Sequence, residues 1–162
     1  MDRPEEVVQV EAGSNKHMPA WAHRVRRLWK PFLTRAEKAR IVAAIAEQEE
    51  RTTGEIRVDV VTYSGTKKDI LVLAKRRFVM QGLHKTPDRN GVLVLISRID
   101  RRFAIWGDDA LQSRAGHPLW DRARDVLAEH LAAGRTADGI VACVRELGDE
   151  LARHFPRTEG GT

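Results

Sequence analysis

Six consecutive residues, Gly-Val-Leu-Val-Leu-Ile at 91–96, include no polar side chain. A strand that faces water on one side alternates apolar and polar residues, whereas a strand covered on both faces is apolar throughout. The stretch is much shorter than the roughly 18 apolar residues of a membrane-spanning helix. It therefore predicts a central β-strand with other elements packed on both faces, which restricts the chain to a layered α/β architecture.

Two further strands are predicted around this one. Residues 55–63 alternate apolar and polar side chains, as in a strand with one solvated face. Residues 102–107 follow the central strand, predicted over 91–98, after a short break, which favours an antiparallel hairpin. A strand–helix–strand crossover is right-handed and leaves its two strands parallel. The sheet is therefore expected to be mixed.

Apolar residues at helical spacing predict the helices. Thr34 and Thr66 each begin a capping-box sequence, Pro118 suits the first turn of a later helix, and Phe155-Pro156 ends the last one. Gly54 is expected just beyond the first of these helices as a left-handed cap. Together with the strands, this order predicts a three-layer α/β/α sandwich around a small mixed central sheet of three or four strands.

The segments outside this pattern give the domain organisation. We expect a disordered arm over 1–18, with an edge strand around Val7 to Val10 as the alternative, and a disordered tail over 157–162. A basic amphipathic helix is predicted over 19–31, where the segment from Trp21 to Lys30 contains no acid. The folded domain is assigned to 32–156.

Composition narrows the class of protein but not its activity. The chain has 162 residues, enough for one domain, and a net charge of +5 that permits anionic partners without requiring them. Its single cysteine, Cys143, excludes an internal disulfide and is interpreted as a core residue. Without a signal sequence or membrane span, we expect a cytoplasmic protein. We expect a monomer, and no nucleic-acid-binding module is recognisable.

The predicted topology brings acidic residues from separate stretches to one edge of the sheet. Parallel strands start at the same edge, and the hairpin returns there. Carboxylates that converge repel one another unless a cation neutralises them, and hard divalent cations prefer oxygen ligands. Asp and Asn are also common turn residues, which is the structural alternative. The predicted metal ligands are Glu55, Asp88, Asn90, Asp108, Asp109 and Asp121.

Three sequence motifs resemble the TPM domain family. They are Thr-Gly-Glu-Ile-Arg-Val at 53–58, Gly-Leu-His-Lys-Thr-Pro-Asp-Arg-Asn-Gly-Val-Leu at 82–93, and Arg-Phe-Ala-Ile-Trp-Gly-Asp at 102–108. The resemblance implies an α/β/α sandwich and divalent-cation binding, mainly of calcium. It also implies a relation to plant thylakoid members described as acid phosphatases. Carried over position by position, the matching residues are Glu55, Asp88, Asn90 and Asp108.

Three functional hypotheses follow. The first is a cation-binding module that takes calcium, with magnesium or manganese as the other candidates. The second is a metal-assisted phosphatase acting on phosphomonoesters, with Asp88, His84 and Arg89 as its catalytic residues. The third is an interaction module that docks on an anionic membrane or partner through the basic helix over 19–31. The favoured structural alternative for this helix is that its two tryptophans pack on the domain while its arginines face water.

Overall fold

A computed structural model describes residues 9–11, 33–62, 70–99 and 101–158, with the backbone alone for residues 9–11. In chain order the elements are β1 (Gln9–Glu11), α1 (Arg35–Glu49), β2 (Glu55–Val61), α2 (Ile70–Met80), a 3₁₀ helix (Leu83–Lys85), β3 (Gly91–Ser97), β4 (Arg102–Gly107), α3 (Asp109–Ala115), α4 (His117–Ala132) and α5 (Thr136–His154).

The sheet has four strands in the order β1-β4-β3-β2. Strands β2 and β3 are parallel, with Glu55 opposite Gly91, and β3 and β4 form an antiparallel hairpin in which Val92 lies opposite Gly107. Strand β1 pairs antiparallel with β4. The predicted mixed sheet is therefore confirmed.

Strand β3 is buried along its whole length and divides the interior into two cores. Val94 and Ile96 pack into the larger core together with α1, α4 and α5, whereas Leu93 and Leu95 pack against α2 on the opposite face. Successive side chains of a strand point to opposite faces, so each layer of helices receives every second residue of β3. This arrangement confirms the predicted α/β/α sandwich.

The local signals in the sequence were confirmed to different degrees. At the start of α1 the capping box is present: Thr34 Oγ1 accepts a hydrogen bond from the backbone N–H of Glu37 at 3.1 Å, and Glu37 Oε1 accepts one from the N–H of Thr34 at 3.0 Å. The prediction of a left-handed cap at Gly54 is wrong, because the C-cap of α1 is Glu50, whose backbone is in the right-handed helical conformation. A glycine suits position 54 because a Cβ there would lie 2.7 Å from a methyl carbon of Leu151.

The chain ends differ in part from the expected disordered segments. Residues Gln9–Glu11, inside the expected arm over 1–18, form β1. Arg157, in the expected tail over 157–162, donates from its backbone N–H to the carbonyl of Arg51 at 3.1 Å. The predicted helix over 19–31 and the capping box at Thr66 lie outside the described residues. Within the described ranges, no helix combines the length and the apolar character needed to cross a membrane.

The junction between β4 and α3 depends on a close approach of α4. A Cβ at Gly107 would lie 2.4 Å from Cη2 of Trp120, whose ring is buried. Helix α3, which the sequence analysis did not predict, begins two residues after this contact. Gly107 therefore lets α4 pack against the end of the sheet and fixes the path of the chain into Asp108.

We expect Gly107→Ala to lower the free energy of unfolding by about 1–3 kcal/mol, because the added methyl group forces the Trp120 ring or the strand to move. Urea denaturation measures the change. In a Trp120→Phe background, whose ring is smaller, the same substitution should cost distinctly less. An equal cost in both backgrounds would contradict the assigned contact.

Candidate functional site

One edge of the sheet collects the residues that precede β2 and β3 and those that follow β4. The parallel register places Glu55 beside Gly91, and the hairpin places Gly107 beside Val92. The loop before β3 and the start of α3 therefore lie next to each other. Their backbones are joined directly, because the N–H of Ala110 in α3 donates to the carbonyl of Arg89 in the loop at 3.1 Å.

Thr53 connects the loop to the chain segment that enters β2. Its Oγ1 donates to Oδ2 of Asp88 at 2.8 Å and accepts from Nδ2 of Asn90 at 3.1 Å. The backbone N–H of Asn90 also donates to Oγ1 of Thr86, which tightens the loop. Sequence reasoning missed Thr53; its place in the Thr-Gly-Glu motif was the one available signal.

Asn90 is a fully buried polar residue at this edge. The whole residue is inaccessible to solvent, and its Oδ1 has no hydrogen-bond partner within the described part of the chain. A buried acceptor without a partner costs roughly 1–3 kcal/mol. Such exceptions in a folded protein require an explanation, and one explanation is a bound ligand.

Asp108 is the most buried carboxylate near this loop, with 6% of its surface exposed. Its Oδ1 caps α3 by accepting from the backbone N–H of Asp109 at 2.8 Å, and its Oδ2 accepts from Nε of Arg89 at 3.3 Å. Nη2 of Arg89 lies 3.7 Å from Oδ2 of Asp109. The Arg89 guanidinium therefore supplies the positive charge beside these two carboxylates.

The backbone of Arg89 is held by its surroundings in a conformation that non-glycine residues seldom adopt. Its φ is 52°, in the left-handed region. The backbone N–H of Arg89 donates to the carbonyl of Thr86, and the carbonyl of Arg89 accepts from the N–H of Ala110. Unusual backbone conformations of this kind concentrate at ligand-binding and catalytic loops.

Two predicted ligands have other partners in the described part of the chain. Glu55 pairs with Arg57 at 3.0 Å, and Asp121 pairs with Arg124 at 3.4 Å along α4. Burial, followed by the negative charge of Glu55, raises the pKa of Glu49 at the end of α1. Asp109 is largely exposed.

The candidate site differs from a compact carboxylate cluster. Among the described residues, no group of three or more His, Cys, Asp or Glu side chains is placed to hold a metal ion. The structure instead joins Asp88 and Asn90 through Thr53, and joins Asp108 to the same loop through Arg89. His84 lies on the adjoining 3₁₀ helix, and its Nδ1 is buried without a hydrogen-bond partner among the described residues.

Comparison with known proteins identifies the family. The family model of the TPM domain matches residues 30–150. The chain belongs to the TPM domain family. A solved structure, the NMR structure of BA42 protein from the psychrophilic bacterium Bizionia argentinensis, is similar to this TPM domain, with 30% sequence identity and a TM-score of 0.74. The match covers 80% of this chain and 88% of that chain. No curated protein matches the chain in sequence.

We expect Thr53→Val to lower the free energy of unfolding by about 1–3 kcal/mol, because it leaves Nδ2 of the buried Asn90 without its acceptor. Thr53→Ser retains the hydroxyl and is the matched control, with a smaller loss. Urea denaturation of both variants measures the difference. Equal stability of the Val and Ser variants would show that the hydroxyl does not organise the loop.

Proposed function

We propose that this TPM domain binds a divalent cation, with calcium preferred over magnesium and manganese, through Asp88, Asn90 and Asp108. The observation that carries the proposal is the buried Oδ1 of Asn90, an acceptor oxygen without a hydrogen-bond partner among the described residues. Asp88 reaches the same network through Thr53, and Asp108 is linked to the loop through Arg89.

The chemistry of these donors fits a hard cation. Calcium takes six to eight oxygen ligands and accepts carboxylates, amide oxygens, backbone carbonyls and water together. Two carboxylates and one amide supply part of such a set, and the irregular backbone of residues 86–90 offers carbonyl oxygens. Glu55 and Asp121 are outside the proposed set because each has an arginine partner of its own. Asp109 contributes negative charge close by.

Arg89 competes with the cation in this proposal. Its guanidinium pairs with Asp108, whose side chain is 7% exposed, while the Arg89 side chain itself is 55% exposed and free to move into solvent. A nearly buried carboxylate needs a positive partner, and a divalent ion can take over that role. Cation binding is therefore coupled to the release of Arg89 from Asp108.

We expect Ca²⁺ to raise the Tm of the full chain in a thermal-shift titration, by roughly 5–10 °C at about a hundredfold excess over its Kd.

Asp108→Asn keeps a good helix cap but removes the charge, so its Kd for Ca²⁺ should rise at least about tenfold, a loss of about 1.4 kcal/mol. Arg89→Gln should tighten binding roughly three- to fivefold.

The matched controls are Asp121→Asn and Arg124→Gln, which alter an exposed ion pair on α4. Both should bind Ca²⁺ as the wild type does. Amide NMR shifts of residues 88–90 and 108 in the same titration locate the ion. Unchanged shifts there at millimolar Ca²⁺, or an equal loss in Asp121→Asn and Asp108→Asn, would overturn the proposal.

A second candidate function is the hydrolysis of phosphomonoesters at the same loop. It is favoured by three side chains of this loop: His84, whose Nδ1 has no hydrogen-bond partner among the described residues, the exposed guanidinium of Arg89 and the carboxylate of Asp88. Arg89 would offset the charge of a phosphate, and Asp88 or His84 would move a proton. A bound cation would polarise a phosphoryl oxygen and lower the pKa of a water molecule.

If this second function holds, Asp88→Asn and His84→Gln should each reduce the hydrolysis of an aryl phosphate at least about hundredfold, because general acid–base catalysis contributes about 10²–10⁴ in rate. Asp121→Asn, purified in parallel, should retain full activity and controls for contaminating phosphatases. Activity that survives in the Asp88 and His84 variants would exclude this loop as the catalyst.

A further inference from the structure

An apolar groove lies between α1 and β2, at the edge of the sheet remote from β1. It has a volume of about 450 Å³ and is lined mainly by Leu33, Ile41, Val42, Ile45, Val58 and Val60. Strand β2 is an outer strand of the described sheet. The groove is separate from the loop that carries the proposed cation site.

The groove leaves large apolar side chains in contact with water. Val42 on α1 is 65% exposed and Val60 on β2 is 36% exposed. Adjacent apolar side chains of this kind are typical of a surface that another element or a partner covers. Lys38 and Arg98 also line the groove and give it a positive border. The border disfavours a basic occupant unless the positive side chains of that occupant point away from the groove.

The chain itself supplies an apolar segment at this place. Residues 12–32 lie outside the described residues, and the described chain resumes at Leu33, which is 7% exposed and lines the groove. The residues before Leu33 therefore begin at the groove. They include large apolar residues at helical spacing, namely Trp21, Val25, Leu28, Trp29 and Phe32.

Chain connectivity favours an intramolecular occupant. Pro31 ends the predicted helix three residues before the Thr34 cap, and helices joined by such short connections are antiparallel neighbours. At its other end the segment leaves β1, which lies three strand positions from β2, or ~14 Å. The twenty-one residues from 12 to 32 span that distance easily.

We propose that the apolar face of the helix predicted within residues 19–31 packs antiparallel to α1 in this groove, with its basic side chains facing solvent. Trp21 and Trp29 then cover the exposed apolar surface of α1 and β2. The same packing withdraws both tryptophans from any membrane surface. The proposal is independent of cation binding.

The first test uses the indole N–H signals of Trp21 and Trp29 in ¹H–¹⁵N spectra of the full chain. We expect Val42→Asp to move both signals to random-coil positions, because it places a charge in the groove. Val79→Asp is the matched control, since Val79 is 47% exposed on α2, across the sheet. Signals of Trp106 and Trp120 should stay unchanged and report an intact fold. Wild-type Trp21 and Trp29 signals already at random-coil positions would overturn the proposal.

The second test measures thiol accessibility in the full chain. Burial raises the pKa of the Cys143 thiol to about 12, so the native cysteine stays unreactive. A Val42→Cys thiol should react with a disulfide reagent at least about tenfold more slowly than a Val79→Cys thiol. Equal reaction rates of the two thiols would overturn the proposal. Protection of Val42→Cys that is lost when the protein is diluted would also overturn it, because the occupant of the groove would then be a second copy of the chain. Protection that appears only with phosphatidylserine vesicles would also overturn the proposal, because the membrane would then be the occupant of the groove.

Discussion

The burial of β3 on both faces is the constraint on which the rest of the structure depends. Its side chains alternate between a large core with α1, α4 and α5 and a smaller core with α2. A shift of one residue in the pairing of β3 would exchange the two sets of side chains, so the register is specified strongly. Because β2 and β4 pair with β3 along its length, that register also fixes which residues meet at each edge of the sheet.

The candidate site is a consequence of this edge. Turns and loops at a sheet edge contain backbone and side-chain polar groups that the sheet itself does not pair. Here Thr53 and Arg89 bind the carboxylates of Asp88 and Asp108, whereas Oδ1 of Asn90 has no hydrogen-bond partner in the part of the chain that the structure describes. The proposed cation site thus combines a rigid amide oxygen with a carboxylate whose present partner, Arg89, is half exposed and replaceable. Affinity in such a site is set by what the cation displaces as well as by what it contacts.

The sequence predicted well those features that depend on neighbouring residues. The capping box at Thr34, the burial of β3 and the hairpin to β4 follow from local spacing and hydrophobic pattern. Helix α3 was missed because Gly107-Asp108-Asp109 is also typical of a turn that ends a strand, whereas in the structure Asp108 caps a short helix and Gly107 lies against Trp120. The prediction for Gly54 was wrong because a glycine is needed there for close packing against Leu151 on α5, a contact between residues far apart in the chain.

The candidate ligands show the same division. Strand order and direction follow from the hydrophobic pattern and the chain connectivity. The sequence by itself therefore determined that acidic and amide residues of the loop before β3 and of the end of β4 lie at one edge of the sheet. Only the tertiary structure decided which of them are joined to one another. Glu55 and Asp121 are paired with arginines on their own strand and helix, while Asp88, Asn90 and Asp108 are joined through Thr53 and Arg89. The pairs Glu55–Arg57 and Asp121–Arg124 are local, but the contacts of Thr53 with Asp88 and of Arg89 with Asp108 join residues remote in the chain. Distances of a few ångströms decide such contacts, and the spacing of residues along a sequence does not contain them.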